Sequence, residues 1–105
     1  MINIDYELPR DKKSVPIQVM QPSTNYSFPF GPESLEISLN IDQVAVIRVV
    51  ASDTCHLEWG DEPVASLGSM LLPVGVVEYF YIKPGQKMAV RQHDSTGILY
   101  ISVMV

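Results

Sequence analysis

From residue 33 to residue 105 the chain is a succession of short β-rich runs, each cut off by Gly, Pro or Asp, with no apolar spacing of helical length. That pattern predicts an all-β domain. Leu35, Ile37, Leu39 and Ile41 alternate with Glu36, Ser38 and Asn40, the period of a half-buried strand. In residues 43–51, Val44, Ala45, Val46, Ile47, Val49 and Val50 are broken only by Arg48, so both faces are apolar. Such a strand belongs at the centre of a sheet or under a second layer of protein. Ser52-Asp53 turns the chain, and Cys55, Leu57 and Trp59 then alternate with His56 and Glu58 as far as the turn Gly60-Asp61-Glu62-Pro63. The two runs on either side of Ser52-Asp53 read as a hairpin. Residues 64–72 are less regular and end at Pro73-Val74-Gly75, before a strand over 76–82. Pro84-Gly85 signals a type II turn, with glycine taking the positive φ. Two further strands, 87–92 and 98–103, are joined across His93-Asp94-Ser95-Thr96-Gly97. Roughly six or seven strands at a spacing of about ten residues predict a small antiparallel β-sandwich or jelly-roll-like barrel over residues 33–105.

Residues 1–32 differ in kind. They hold Pro9, Pro16, Pro22, Pro29 and Pro32, five of the eight prolines in the chain, and read as an extended N-terminal arm. Two short extended pieces, 2–7 and 15–20, each lie next to proline, which lacks an amide donor and so suits a sheet edge or a segment that pairs with a neighbour. Tyr26, Phe28 and Phe30 are spaced by two, which puts three aromatic rings on one side of an extended chain. That strip either straps the arm over its own domain or docks on a neighbouring subunit.

Composition narrows the functional classes. A chain of 105 residues supports one domain, and a domain of this size buries only about 60–70% of the surface its unfolded chain exposes. With 47% apolar and only 18% charged residues, some large side chains are left for the surface or, as we expect, for a subunit interface. In residues 1–32 the acids Asp5, Glu7 and Asp11 balance the bases Arg10, Lys12 and Lys13, so the whole net charge of −5 falls on residues 33–105. No basic face for phosphate is expected there, which argues against nucleic acid as a partner. One cysteine, Cys55, leaves no intramolecular disulfide and is compatible with synthesis in a reducing cytoplasm. The N-terminus carries acids where a signal peptide carries bases, and no run of about 18 apolar residues occurs, so no membrane role is expected.

Recognisable catalytic chemistry is missing from the sequence. His56 and His93 fall in no metal-ligand spacing with each other or with Cys55, and Cys55 and His56, adjacent in a strand, point to opposite faces and cannot act as nucleophile and base. Asp53, Glu58, Asp61 and Glu62 gather around one turn, where oxygen ligands could hold Ca²⁺, but a solvated acidic loop is the expected reading. No Gly-x-Ser-x-Gly elbow and no phosphate loop occurs. We therefore expect a non-enzymatic protein without cofactor or metal. Trp59 shares its strand face with Cys55 and Leu57 and should pack in the core. In the run Tyr79-Phe80-Tyr81, Phe80 and Ile82 should face inward while Tyr79 and Tyr81 face outward as a contact surface. The expected interface residues are thus Tyr26, Phe28, Phe30, Tyr79 and Tyr81.

The stretch from Val46 to Val103 covers a little over half of the chain and strings together turn glycines, turn prolines and core residues in a set order. An apolar strand ending Val49-Val50-Ala51-Ser52 leads to Cys55-His56-Leu57-Glu58-Trp59-Gly60, Pro63-Val64-Ala65 and Ser69-Met70-Leu71-Leu72-Pro73-Val74-Gly75. Glu78-Tyr79-Phe80, Pro84-Gly85-Gln86-Lys87-Met88-Ala89-Val90 and Gly97-Ile98-Leu99-Tyr100-Ile101 follow. This succession resembles a loose group of small tailed-bacteriophage structural proteins. The resemblance implies a virion component made in the host cytoplasm, a capsid decoration (cement) protein or else a small neck or tail adaptor. It implies as partners the major capsid protein or other virion proteins, and a homo-oligomer, with a trimer favoured. A carbohydrate-binding module used for attachment is the alternative, and it needs Trp59, Tyr79 or Tyr81 exposed on one face.

Overall fold

The computed structural model describes residues 21–105. Eight strands make up its regular structure: β1 (Pro22–Phe30), β2 (Leu35–Ser38), β3 (Ala45–Ala51), β4 (Cys55–Gly60), β5 (Met70–Leu72), β6 (Glu78–Ile82), β7 (Lys87–Gln92) and β8 (Gly97–Met104). They form two four-stranded antiparallel sheets, sheet A in the order β1-β8-β3-β6 and sheet B in the order β2-β7-β4-β5. First pairs with last, second with seventh, third with sixth and fourth with fifth, the order obtained when one long hairpin is rolled into a sandwich. This is a jelly-roll β-sandwich, of the all-β class expected from the sequence, with eight strands where six or seven were counted.

Alternation along each strand builds the core. Ile47, Val49 and Ala51 of β3, Leu99 and Ile101 of β8, Cys55 and Leu57 of β4, and Met88 and Val90 of β7 all point between the sheets and are buried. Trp59 and Phe80 close one side of this layer with ring centroids 5.0 Å apart, as their inward parity predicted. The turn over Lys83 to Gln86 closes with a bond from the Gln86 amide to the Lys83 carbonyl, with Gly85 at φ 81°, as the Pro-Gly pair required. Among the described residues no helix is long and apolar enough to cross a membrane.

Two readings change. The runs on either side of Ser52-Asp53 are not a hairpin: β3 lies in sheet A and β4 in sheet B, so the link crosses from one layer to the other. A three-residue connection with a turn signal serves either purpose, and the jelly-roll order decides between them. Only β4 and β5 are consecutive strands paired within one sheet. The second change concerns the arm. Pro22–Phe30, counted with it in the sequence, is the edge strand of sheet A, paired with β8 from Pro22 opposite Met104 to Phe30 opposite Gly97. An edge strand uses only part of its amides in the ladder, which is where Pro22 and Pro29 are tolerated. Residues 1–20 of the arm, with the extended pieces 2–7 and 15–20, lie outside the described residues.

Candidate interaction surface

Each sheet turns its second face outward, and the two outer faces differ. On sheet A the outward residues form cross-strand rows. Asn25, Ser102, Arg48 and Tyr79 lie side by side across all four strands, with Ser102 Oγ donating to Asn25 Oδ1 at 2.7 Å. On one side of that row lie Met104 and Val46, both buried, and Tyr81, and on the other Ser27, Tyr100 and Val50. Tyr79, Tyr81 and Tyr100 therefore share one face with Arg48 among them. Tyr81 is 76% exposed and Tyr100 is also open to solvent, whereas Tyr79 is half-buried. Tyrosine and arginine are the side chains that most often anchor protein contacts, because each offers a large apolar body with a polar tip.

The aromatic strip of β1 faces the other way. Tyr26, Phe28 and Phe30 sit opposite Ile101, Leu99 and Gly97 on the inner side of the sheet. Phe30 is 4% exposed, within the core, and Tyr26 and Phe28 pack half-buried against it with their rings stacked at 6.0 Å. Of the five aromatic residues expected at an interface, the structure thus places Tyr79 and Tyr81 on an outer face and the three of β1 against the chain's own core. Trp59 is also turned inward and does not join the tyrosines.

On sheet B the outer face is roofed. The 61–69 loop leaves β4, reaches the opposite edge of the sheet, where the Ala65 amide donates to Ser34 Oγ at 2.8 Å, and returns to β5. Beneath it Ala89, on the outer side of β7, is fully buried, as are Pro63 and Ala65 of the loop itself. Polar groups of β4 hold the return. Ser69 Oγ donates to Glu58 Oε1 at 2.7 Å, and His56 Nδ1 lies 3.1 Å from the Ser69 carbonyl. His56 Nε2 meets His93 Nδ1 at 2.9 Å, and His93 Nε2 lies 3.8 Å from Asp94 Oδ2. His56 is 4% exposed. The register sets Arg91 opposite it on the same face, and Arg91 Nε is buried without a hydrogen-bond partner.

Spacing could not reveal the histidine pair, since His56 and His93 are 37 residues apart in sequence. Once β4 and β7 pair with His56 opposite Arg91, His93 falls two residues further on the same side, a diagonal cross-strand neighbour. The acids do not gather as their sequence spacing suggested. Asp53 accepts from Ser52 and Ser95 at the crossover, Glu58 binds the roof, and Asp61 and Glu62 are exposed. Among the described residues no group of three or more His, Cys, Asp or Glu is placed to hold a metal ion. Cys55 is buried, and that burial pushes its thiol up to about 11.

A second surface has no counterpart in the sequence reading. Val64, Leu67, Met70, Leu71, Val74 and Val76 are six of the ten exposed large hydrophobics among the described residues, and all belong to the roof loop, β5 and the turn after it. Val64 lies beside Ala65 on the β2 side of the roof, Met70 and Leu71 belong to the edge strand β5, and Val74 sits in the following turn, where its amide donates to Thr54 Oγ1. Their irregular spacing hid them, because the loop obeys no strand period. In comparisons with known proteins, no family model, curated protein or solved structure matches the chain.

Proposed function

We propose that the protein is a non-enzymatic structural component of a tailed-bacteriophage particle, a decoration or cement protein that bridges neighbouring subunits. The observation that carries this reading is the pair of separate contact surfaces on opposite layers of one rigid sandwich. The tyrosine face belongs to sheet A, and the exposed hydrophobics of the roof loop, β5 and the following turn belong to the sheet B layer. A protein that binds one ligand needs a single such surface; a protein that fastens two neighbours together needs two. Individually weak contacts suffice when many copies repeat on a lattice, because linked binding events reinforce one another. The jelly roll is compatible with this reading and does not carry it, since the same architecture serves capsid, lectin and enzyme domains.

The test uses the full chain in the particle encoded by its own genome. Particles are assembled with the unaltered chain, with the double variant Tyr81→Ser, Tyr100→Ser, and with Leu67→Ser, Leu71→Ser, and bound chain is counted by quantitative mass spectrometry after sedimentation. Stoichiometric incorporation of the unaltered chain that falls at least about tenfold with either pair is expected. A chain that never sediments with particles overturns the proposal.

Attachment to a glycan is the second reading, favoured by three tyrosines on one face, since sugars stack on aromatic rings. It requires oligosaccharide binding by the purified chain that is lost with Tyr81→Ser, Tyr100→Ser and retained with Leu67→Ser, Leu71→Ser.

A further inference from the structure

We propose that β6 is an acceptor edge, and that residues 15–20 of a second copy of this chain add to it as a fifth strand of sheet A. The four sheet edges are guarded unequally. β1 carries Pro22 and Pro29, and β2 is four residues long with Glu36 held to Lys87 at 3.2 Å. β5 has only three residues. β6 has neither proline nor charge between Glu78 and Lys83, the devices that keep an edge from pairing with another chain. The backbone phase of its open side follows from the rest of sheet A. Gln21 and Val105 exchange both backbone bonds, so along β8 it is Tyr100, Ser102 and Met104 that bond towards β3. On β3 this leaves Ile47 and Val49 to bond Phe80 and Glu78, in phase with the Ala51 carbonyl, which accepts from the Gly75 amide ahead of β6. Tyr79 and Tyr81 therefore turn their amides and carbonyls to the open side.

The occupant comes from the residues ahead of β1. Val15, Ile17 and Val19 alternate with Pro16, Gln18 and Met20, the period of a strand with one apolar side. Pro16 has no amide hydrogen, so in an added strand it belongs with the residues that face away from β6, and Val15, Ile17 and Val19 are left to bond it. Directly opposed residues of an antiparallel pair share a face, which sets those three side chains beside Tyr79 and Tyr81 on the outer side of sheet A. Apolar cover then reaches Tyr81, which is 76% exposed. Distance decides whose strand it is. Pro22, Met104, Val46 and Tyr81 form one row across the sheet, and a strand added beyond β6 lies four spacings, about 19 Å, from β1. Met20 is two residues from Pro22, a reach of about 7 Å. The segment therefore cannot lie along its own β6, and the added strand belongs to a neighbour. Each copy offers one arm and one edge, so assembly stops when the circle of copies closes. The pairing is between copies alone and does not depend on a particle.

The experiment is sedimentation of the full chain over a series of concentrations, together with amide hydrogen exchange of β6, on the unaltered chain and on Ile17→Pro and Gln18→Pro. Ile17→Pro removes an amide that bonds β6, whereas Gln18→Pro places the same ring one residue on, where the amide faces away. The unaltered chain and Gln18→Pro should sediment as a dimer or larger ring, and Ile17→Pro should associate at least about tenfold more weakly. The Tyr79 and Tyr81 amides should be protected in the assembled chain, lose that protection on dilution, and be at least about tenfold less protected in Ile17→Pro. A chain that is monomeric at every concentration overturns the proposal. So do two proline variants that assemble alike, and so does protection of Tyr79 and Tyr81 that is independent of concentration, since a strand from a second copy leaves on dilution. If assembly is lost with Leu67→Ser, Leu71→Ser and kept with Ile17→Pro, the copies meet through the roof and strand addition at β6 is refuted.

Discussion

Sheets A and B bury the same kind of aliphatic face against each other, yet they treat their outer faces in opposite ways. Sheet B carries His56, Glu58 and Arg91 outward, and its own 61–69 loop supplies partners for His56 and Glu58, while Arg91 Nε is left without one. Sheet A carries Tyr79, Tyr81 and Tyr100 outward, and Tyr81 and Tyr100 remain open to water. Satisfying buried polar groups calls for a local partner, because an unpaired donor or acceptor away from water costs about 1–3 kcal/mol. Exposed tyrosines carry no such penalty, and each offers a large apolar body with a polar tip to a partner molecule. One face is therefore completed by the chain itself, and we read the other as a face completed by assembly.

The largest expected effect tests whether β1 is part of sheet A or an appendage to it. Phe30 fills the space beside Gly97, where a Cβ would come within 2.8 Å of its ring and of Asp53 Oδ2. Phe30→Ala should cost about 3–5 kcal/mol in urea unfolding, as for other aromatic truncations in a core. Gly97→Ala should cost less, about 1–3 kcal/mol, through overpacking of the same contact. A loss below about 1 kcal/mol for Phe30→Ala would detach β1 from the core and return residues 22–30 to the arm.

How much of this was legible in the sequence depends on the range of the interaction. Alternation around Leu35, Leu57 and Tyr79 identified strands and told inward from outward residues, because side-chain parity is a local property. Pairing is not local. The crossover after Ala51 passed for a hairpin, and β1 passed for an arm because its prolines are a local signal whereas its ladder to β8 spans most of the chain. The same limit hid the histidine pair: His56 and His93 meet only through the β4–β7 register. Tyr79 and Tyr81 were legible as an outward pair; Tyr100 joined them only when β8 was placed beside β3.

The roof is tested by Ser69→Ala. This removes the bond to Glu58 and also the acceptor of the Ser66 amide, 3.0 Å away. A loss of about 1–2 kcal/mol is expected, together with faster exchange of the loop amides, while β1 and β8 keep their protection. A variant as stable as the parent, with its loop still protected, would show that the roof is held by its apolar contacts alone.

The inner side of β4 responds to alkali rather than to acid. Burial raises the Cys55 thiol from 9.0 to about 11, so the folded chain binds its proton more tightly than the unfolded one. That contribution is complete below pH 9.0 and is lost as pH rises through about 11. Alkylation by iodoacetamide should therefore be slow in the folded chain at neutral pH and should follow global unfolding. Alkylation as fast as that of an exposed thiol at neutral pH would mean that the core around Cys55 opens without global unfolding.

The smallest effect on stability is expected where the effect on assembly is greatest. Tyr81→Ser and Tyr100→Ser remove side chains that stand in solvent, so unfolding should change by no more than about 0.5 kcal/mol for each. Their loss from a contact surface should weaken binding by about 2 kcal/mol, or about thirtyfold, if they anchor it. Urea unfolding and particle binding measured on the same two variants separate these quantities. Unchanged stability with lost binding keeps the contrast between the two outer faces. A stability loss above about 1 kcal/mol would show that the tyrosines cover sheet A as the loop covers sheet B, and that both faces are closed by the chain itself.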